Sequence, residues 1–138
     1  MTESQYLTFE VSADRVDSAG SLAVTKRAQL IMDTGMAGRL DAFNPVELLL
    51  AALSACMIKG TERVSETLGI EYDSLHVSLS AKRPVDDARI ESIDYVITIG
   101  TLGDQNKLDL LHKNLMKFGT IYNTIQSGTR LTGQILRK

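Results

Sequence analysis

The residue with the greatest chemical potential in this chain is Cys56, the single cysteine among 138 residues, within the stretch NPVELLLAALSACMIKG (residues 44–60). A thiolate is a strong nucleophile, but a free cysteine has a pKa of about 8.5, and apolar surroundings raise it. A mid-helix position offers the thiolate no helix N-terminus. Lys59 is the nearest cation along the helix, and Arg63 follows on the same side. Two interpretations stay open: a reactive thiol, or a small apolar side chain in a packed core.

Glu47 is a second group that could do chemistry, as an acid or base. It lies three residues after Asn44, where its carboxylate can also accept a hydrogen bond from the amide of a capping asparagine. The two histidines, His76 and His112, show no metal-binding spacing with each other or with Cys56. We therefore expect no metal site and no cofactor.

A long helix must position Cys56. Asn44 is suited to cap it and Pro45 to occupy its first position, because proline lacks the N–H that would be unpaired there. The apolar pattern predicts that the helix runs to about Leu68 and ends at Gly69. At about 1.5 Å per residue it would span about 36 Å. Its first half is apolar on every side, which is typical of a buried central helix.

The remaining segments predict a mixed α and β fold. Alternating apolar residues predict strands at 6–16 and 22–32, joined as a hairpin, and a second hairpin from 71–85 and 88–102. A leucine stripe predicts a second helix ending at Gly119, with a short helical stretch after it and a last strand at 130–136, where Gly133 suggests a bulge. The order β-β-α-β-β-α-β is typical of an α+β fold, and residues 1–138 are predicted to form a single domain.

Composition and charge exclude several classes of function. The net charge of −2 comes from 15 basic and 17 acidic residues spread along the chain, without the basic patches of nucleic-acid-binding proteins. No apolar run approaches the roughly 20 residues of a membrane span, and the N-terminus lacks the pattern of a signal peptide. With one cysteine and no internal disulfide possible, we expect a cytoplasmic protein.

The stretch NPVELLLAALSACM resembles the central helix of the OsmC/Ohr family, the osmotically inducible protein C and organic hydroperoxide resistance proteins. The order of elements and the segment KFGTIYNTIQSGTRLTG are similar as well. The resemblance implies an intertwined homodimer in which antiparallel sheets wrap long buried central helices. It also implies a peroxidatic cysteine at Cys56 and a site at the dimer interface. A partner subunit would supply the cover that a long helix, apolar all round, needs.

The sequence departs from the family pattern at the residues that support the thiol. The family's second, resolving cysteine would fall at Gly119, so Phe118 and Tyr122 would flank that position and could line an apolar ligand pocket. The family's acidic residue directly follows the helix proline, whereas here Val46 occupies that place and the carboxylate is on Glu47. An arginine that activates the thiol could be Arg15, Arg27 or Arg39, and we carry Arg39 as the working choice.

Two functions are therefore expected. The first is an OsmC-like, one-cysteine thiol peroxidase of peroxiredoxin type, acting on organic hydroperoxides in an oxidative or osmotic stress response. Cys56 would be the nucleophile, Glu47 and Arg39 would assist it, and an external thiol would act as reductant. The alternative is a non-catalytic OsmC-like dimer that binds a small apolar ligand at its interface.

Overall fold

The computed structural model of the chain describes residues 5–128 and 130–138. The chain divides into two compact units, Met1–Leu48 and Leu49–Lys138. The elements of the described residues follow in the order β1 (Ser12–Arg15), β2 (Gly20–Thr25), β3 (Ala28–Asp33), α1 (Pro45–Leu68), β4 (Ser74–Lys82), β5 (Ser92–Gly100), α2 (Gln105–Phe118), α3 (Thr120–Gln126) and β6 (Arg130–Arg137). The predicted α+β class is confirmed. The predicted order lacked one early strand and did not count the short α3.

The first unit contains an antiparallel sheet in the order β1-β2-β3. The single strand predicted at 22–32 is wrong, because the chain reverses at Lys26 and Arg27 and forms two paired strands. Lys26 adopts a left-handed backbone with φ of 52°. The turn contains no Gly, Asn or Asp, the residues typical of tight hairpin turns, so the apolar pattern of 22–32 indicated one continuous strand. The strand predicted at 6–16 begins only at Ser12, which pairs with Val24, one residue before the end of β2.

The limits predicted for α1 are confirmed and have local causes. The Asn44 side chain accepts a hydrogen bond from the Glu47 amide, and the Glu47 carboxylate accepts one from the Asn44 amide, both at 2.9 Å. This reciprocal pair is a capping box. At the other end Gly69 has φ of +67°, and its amide bonds the Glu66 carbonyl while the Ile70 amide bonds the Ser65 carbonyl. That pairing is a Schellman motif, which ends the helix.

The second unit contains a sheet in the order β4-β5-β6. The predicted hairpin of β4 and β5 is confirmed as an antiparallel pair. The expectation of purely antiparallel sheets is wrong for β6, which runs parallel to β5 because α2 and α3 form a crossover connection. Gly133 does not form a bulge either, since it pairs in regular register with Tyr95.

The core of this second unit lies between its sheet and its helices. The predicted inward residues of β5 are at most 3% exposed, and the predicted stripe of α2 is buried as well. The buried residues that form this hydrophobic core are Leu53, Met57, Val64, Ile70, Ile93, Tyr95, Ile97, Ile99, Leu108, Leu111, Leu115, Tyr122 and Ile135. Among the described residues no helix combines the length and hydropathy that crossing a lipid bilayer would require.

Candidate functional site

Cys56 lies on the boundary between the buried and exposed sides of α1. Leu53, one turn earlier, is completely buried and Met57 is 4% exposed, whereas Ile58 is 40% exposed. Lys59 is exposed, and Cys56 itself is half-buried with a free thiol. The residue is therefore neither sealed in the core nor fully open to solvent.

Helix α2 runs antiparallel to α1 and contacts it where Leu115 meets Gly60. A Cβ added at Gly60 would lie 2.7 Å from Leu115 Cδ2, so the leucine packs directly on the glycine backbone. Nearer the end of α1, the Lys107 ammonium donates a 3.5 Å hydrogen bond to the Gly69 carbonyl. As the residue number rises along α1, the contacting residue number falls along α2. The C-terminal end of α2 is thereby brought to Cys56.

Gly119 lies between α2 and α3, beside Cys56. It ends α2, where its amide donates to the Leu115 carbonyl, and it begins α3, where its carbonyl accepts from the Asn123 amide. A Cβ at Gly119 would lie 3.4 Å from Cys56 Sγ, 3.2 Å from Tyr122 Cβ and 2.6 Å from the Leu115 carbonyl oxygen. The position at which the family resemblance puts a second cysteine therefore faces the sulfur. The close contact with Leu115 favours glycine there.

The two residues expected to line a ligand pocket flank Gly119 but differ in exposure. Phe118 is 55% exposed, and the Lys117 ammonium lies 5.2 Å from the centre of its ring. Tyr122 is only 7% exposed and belongs to the core, with its ring edge-on to that of Tyr95 at 6.5 Å. Of the pair, Phe118 is the one whose ring a ligand could reach.

The Tyr95 and His112 pair was missed by sequence reasoning. The Tyr95 hydroxyl and His112 Nε2 share a hydrogen bond of 2.7 Å, with the rings edge-on at 5.8 Å. Burial raises the pKa of Tyr95 to about 12, and the neighbouring Tyr122 adds to the rise. Burial also lowers the pKa of His112 below its ordinary value. One signal was present, since His112 lies one turn after Leu108 on the buried stripe of α2 and Tyr95 is on the inward face of β5.

The other two predicted site residues are each engaged with a partner of their own. The Glu47 carboxylate holds the capping box, and Glu47 precedes Cys56 by nine residues, about 13 Å along the helix axis at about 1.5 Å per residue. In the first unit, the Arg39 guanidinium makes a bidentate ion pair with Asp41 at 2.6 and 2.8 Å. The hydrogen bond with Asp41 raises the pKa of Arg39 and lowers that of Asp41. The catalytic roles of Glu47 and Arg39 stay predictions.

An open groove of about 1040 Å³ lies at the C-terminal end of α1, away from Cys56. Its lining includes Ile70, Tyr72 and Thr101, together with the acidic side chains of Glu66 and Asp73. Neither Cys56 nor Gly119 contributes to it. Its position therefore separates it from the candidate thiol site.

Comparisons with known proteins give a family from one family model and a fold from solved structures. The family model described as OsmC-like protein matches residues 37–133. No curated protein matches the sequence significantly. Among solved structures, an OsmC-like protein from Mycoplasma pneumoniae shares 15% identity and superposes with a TM-score of 0.86, covering 96% of this chain and 99% of the other.

Two further solved structures are named for hydroperoxide resistance. The organic hydroperoxide resistance protein OsmC of Legionella pneumophila is 15% identical, with a TM-score of 0.69 and coverage of 96% of this chain and 99% of the other. The organic hydroperoxide resistance protein OhrB of Bacillus subtilis is 19% identical, with a TM-score of 0.64 and coverage of 94% and 98%. At these identities the likeness shows a shared fold.

Proposed function

Because this chain belongs to the OsmC-like protein family, we propose that it reduces organic hydroperoxides through the thiol of Cys56. The observation that carries the proposal is the half-buried position of Cys56, the one cysteine of the chain. It lies beside the α2–α3 junction at Gly119. A cysteine that served only as core filler would be expected to be fully buried, as its neighbours Leu53 and Met57 are.

The reaction proceeds by attack of the Cys56 thiolate on the outer oxygen of a hydroperoxide. The O–O bond breaks, the alcohol leaves with a proton, and the sulfur is oxidised to a sulfenic acid. Since the chain has no second cysteine, an external thiol condenses with the sulfenic acid, releasing water and forming a mixed disulfide. A second external thiol then restores Cys56 and leaves as the disulfide. A reducing cytoplasm, the proposed location, supplies such thiols.

An exposed apolar side chain supports this role. The exposed ring of Phe118 gives an apolar hydroperoxide a surface beside the junction. We keep Glu47 and Arg39 as the groups proposed to assist the thiol, and Glu47→Gln and Arg39→Gln should then each lower the rate of peroxide consumption.

We also propose that two copies of the chain assemble as a homodimer. Leu30 and Ile31 are consecutive on β3, so their side chains point to opposite faces of the first sheet, yet they are 45% and 55% exposed. Tyr6 and Phe9, on the segment before β1, are more than 80% exposed. Apolar groups left open on both faces of a three-stranded sheet call for a second partner surface. Ile31→Asp should weaken the assembly, as measured by light scattering coupled to size exclusion.

One observation favours the second candidate function, apolar ligand binding without catalysis. Phe118, which directly precedes Gly119, presents an exposed ring, and Gly119 stands where a resolving cysteine would be. In that case Cys56 would line the site without turning over. Alkylation of Cys56 would then proceed slowly in the native protein, and hydroperoxide would not be consumed.

The deciding experiment follows cumene hydroperoxide consumption with a dithiol as reductant. The native protein should consume peroxide catalytically, and mass spectrometry after dimedone trapping should find sulfenic acid on Cys56. Cys56→Ser should abolish both signals. Ala55→Ser places the same hydroxyl one position away on an exposed site and should leave activity intact. Peroxide consumption that survives Cys56→Ser would overturn the enzymatic proposal.

A further inference from the structure

Tyr95 on β5 contacts three other elements of the second unit. Its side chain, 3% exposed, is hydrogen-bonded to His112 on α2 and lies edge-on to Tyr122 on α3. Its ring also lies across Gly133 on β6, where any Cβ would overlap it. One side chain of β5 therefore contacts α2, α3 and β6.

The same contacts lead to the cysteine. Tyr122 packs against Gly119, with its Cβ 3.2 Å from where a Cβ of that glycine would be. A Cβ on Gly119 would in turn lie 3.4 Å from Cys56 Sγ, so this glycine lies beside the sulfur. His112 lies two turns before Gly119 on α2, so its bond to Tyr95 secures that helix to β5 while Tyr122 secures α3.

We propose that Tyr95 and His112 are positioning residues, whose shared hydrogen bond holds the α2–α3 junction against the Cys56 sulfur and limits access to it. The inference deepens the proposed function, since it concerns the same thiol. It does not depend on peroxide turnover, because any small electrophile that reaches the sulfur reports the position of the junction. A bond between half-buried and buried polar groups suits this task, since breaking it leaves the remaining partner unsatisfied.

The test measures the second-order rate of Cys56 alkylation by iodoacetamide in the folded protein, from pH 7 to pH 10. Tyr95→Phe removes only the hydroxyl, and His112→Leu replaces the imidazole by an aliphatic side chain of similar volume that cannot form a hydrogen bond. Each should raise the limiting rate at high pH by about fivefold, the change expected from losing one hydrogen bond. The double variant should react no faster than either single variant, because both changes remove the same bond.

Controls separate positioning from a general loss of stability. Tyr72→Phe removes the hydrogen bond between Tyr72 and Glu62 in the same unit, and should leave the alkylation rate within twofold of the native value. His112→Gln introduces a side-chain amide that can bond the Tyr95 hydroxyl, and its alkylation rate should be close to the native value. If Tyr95→Phe does not fold, the His112→Leu and His112→Gln pair decides the question alone.

Several results would overturn the proposal. They are equal rates in Tyr95→Phe and Tyr72→Phe, additive effects in the double variant, or equal rates in His112→Leu and His112→Gln. If the native protein shows no peroxide turnover but the variants change the alkylation rate as expected, the proposed enzymatic function is wrong and the positioning role is supported.

Discussion

Replacing Gly119 by cysteine creates a thiol at the point where the α2–α3 junction faces Cys56. A Cβ at this position lies 3.4 Å from Cys56 Sγ, and in a disulfide the corresponding separation is about 3 Å. A shift of a few tenths of an ångström therefore suffices to close the bond. We expect Gly119→Cys to form an internal disulfide with Cys56 under mild oxidation.

The expected stability of this variant has two opposing contributions. In the reduced form the new Cβ lies 2.6 Å from the Leu115 carbonyl oxygen, an overlap that should cost about 1–3 kcal/mol. In the oxidised form, the cross-link closes the long loop between residues 56 and 119, which should contribute about 4 kcal/mol by restricting the unfolded chain. The reduced variant should thus be less stable than the native protein, and the oxidised variant at least as stable.

The assay is urea unfolding with and without reductant, together with a count of free thiols. Oxidised Gly119→Cys should contain no free thiol and migrate faster on a non-reducing gel. Gly128→Cys is the matched control, since a Cβ there meets no described atom within 4 Å, so both of its thiols should stay free. Two free thiols in folded, oxidised Gly119→Cys, or only cross-links between chains, would refute the placement of Gly119 over the sulfur.

Three further predictions address the core and its titration. Gly133→Ala should lower the free energy of unfolding by about 1–3 kcal/mol, because its methyl group would overlap the Tyr95 ring, and equal stability in urea would contradict that contact. Leu53→Ala should cost about 2–5 kcal/mol in the same assay, against little for Leu110→Ala, whose side chain is 48% exposed. Because the pKa of His112 is lowered in the folded protein, the unfolded chain binds this proton more readily. The contribution of His112 to stability is therefore complete above about pH 6.5, its unfolded pKa, and is lost as pH falls through the folded pKa. His112→Gln should lose less stability than the native protein between pH 7 and pH 5, and identical losses would argue against a buried neutral histidine.

Local signals explain the parts of the fold that could be predicted. The capping box at Asn44 and the left-handed glycine at Gly69 lie within a few residues of the helix ends they define, so α1 was predicted to within a residue at each end. The turn between β2 and β3 was not predicted, because it has no local signal. Lys26 adopts a left-handed backbone, which is uncommon for lysine, and the pairing of β2 with β3 compensates for the unfavourable turn.

The amino-acid sequence alone determined the helix that carries Cys56, the alternation of β5, the buried stripe of α2 and the resemblance that led to the family, because each depends on residues close together in the chain. Only the tertiary structure decided that Gly119 lies over the sulfur, that Tyr95 bonds His112, and that Tyr122 is buried while Phe118 is open. These relations join residues from separate elements. They depend on how helices and sheet pack, and packing is decided by the shapes of all the side chains together.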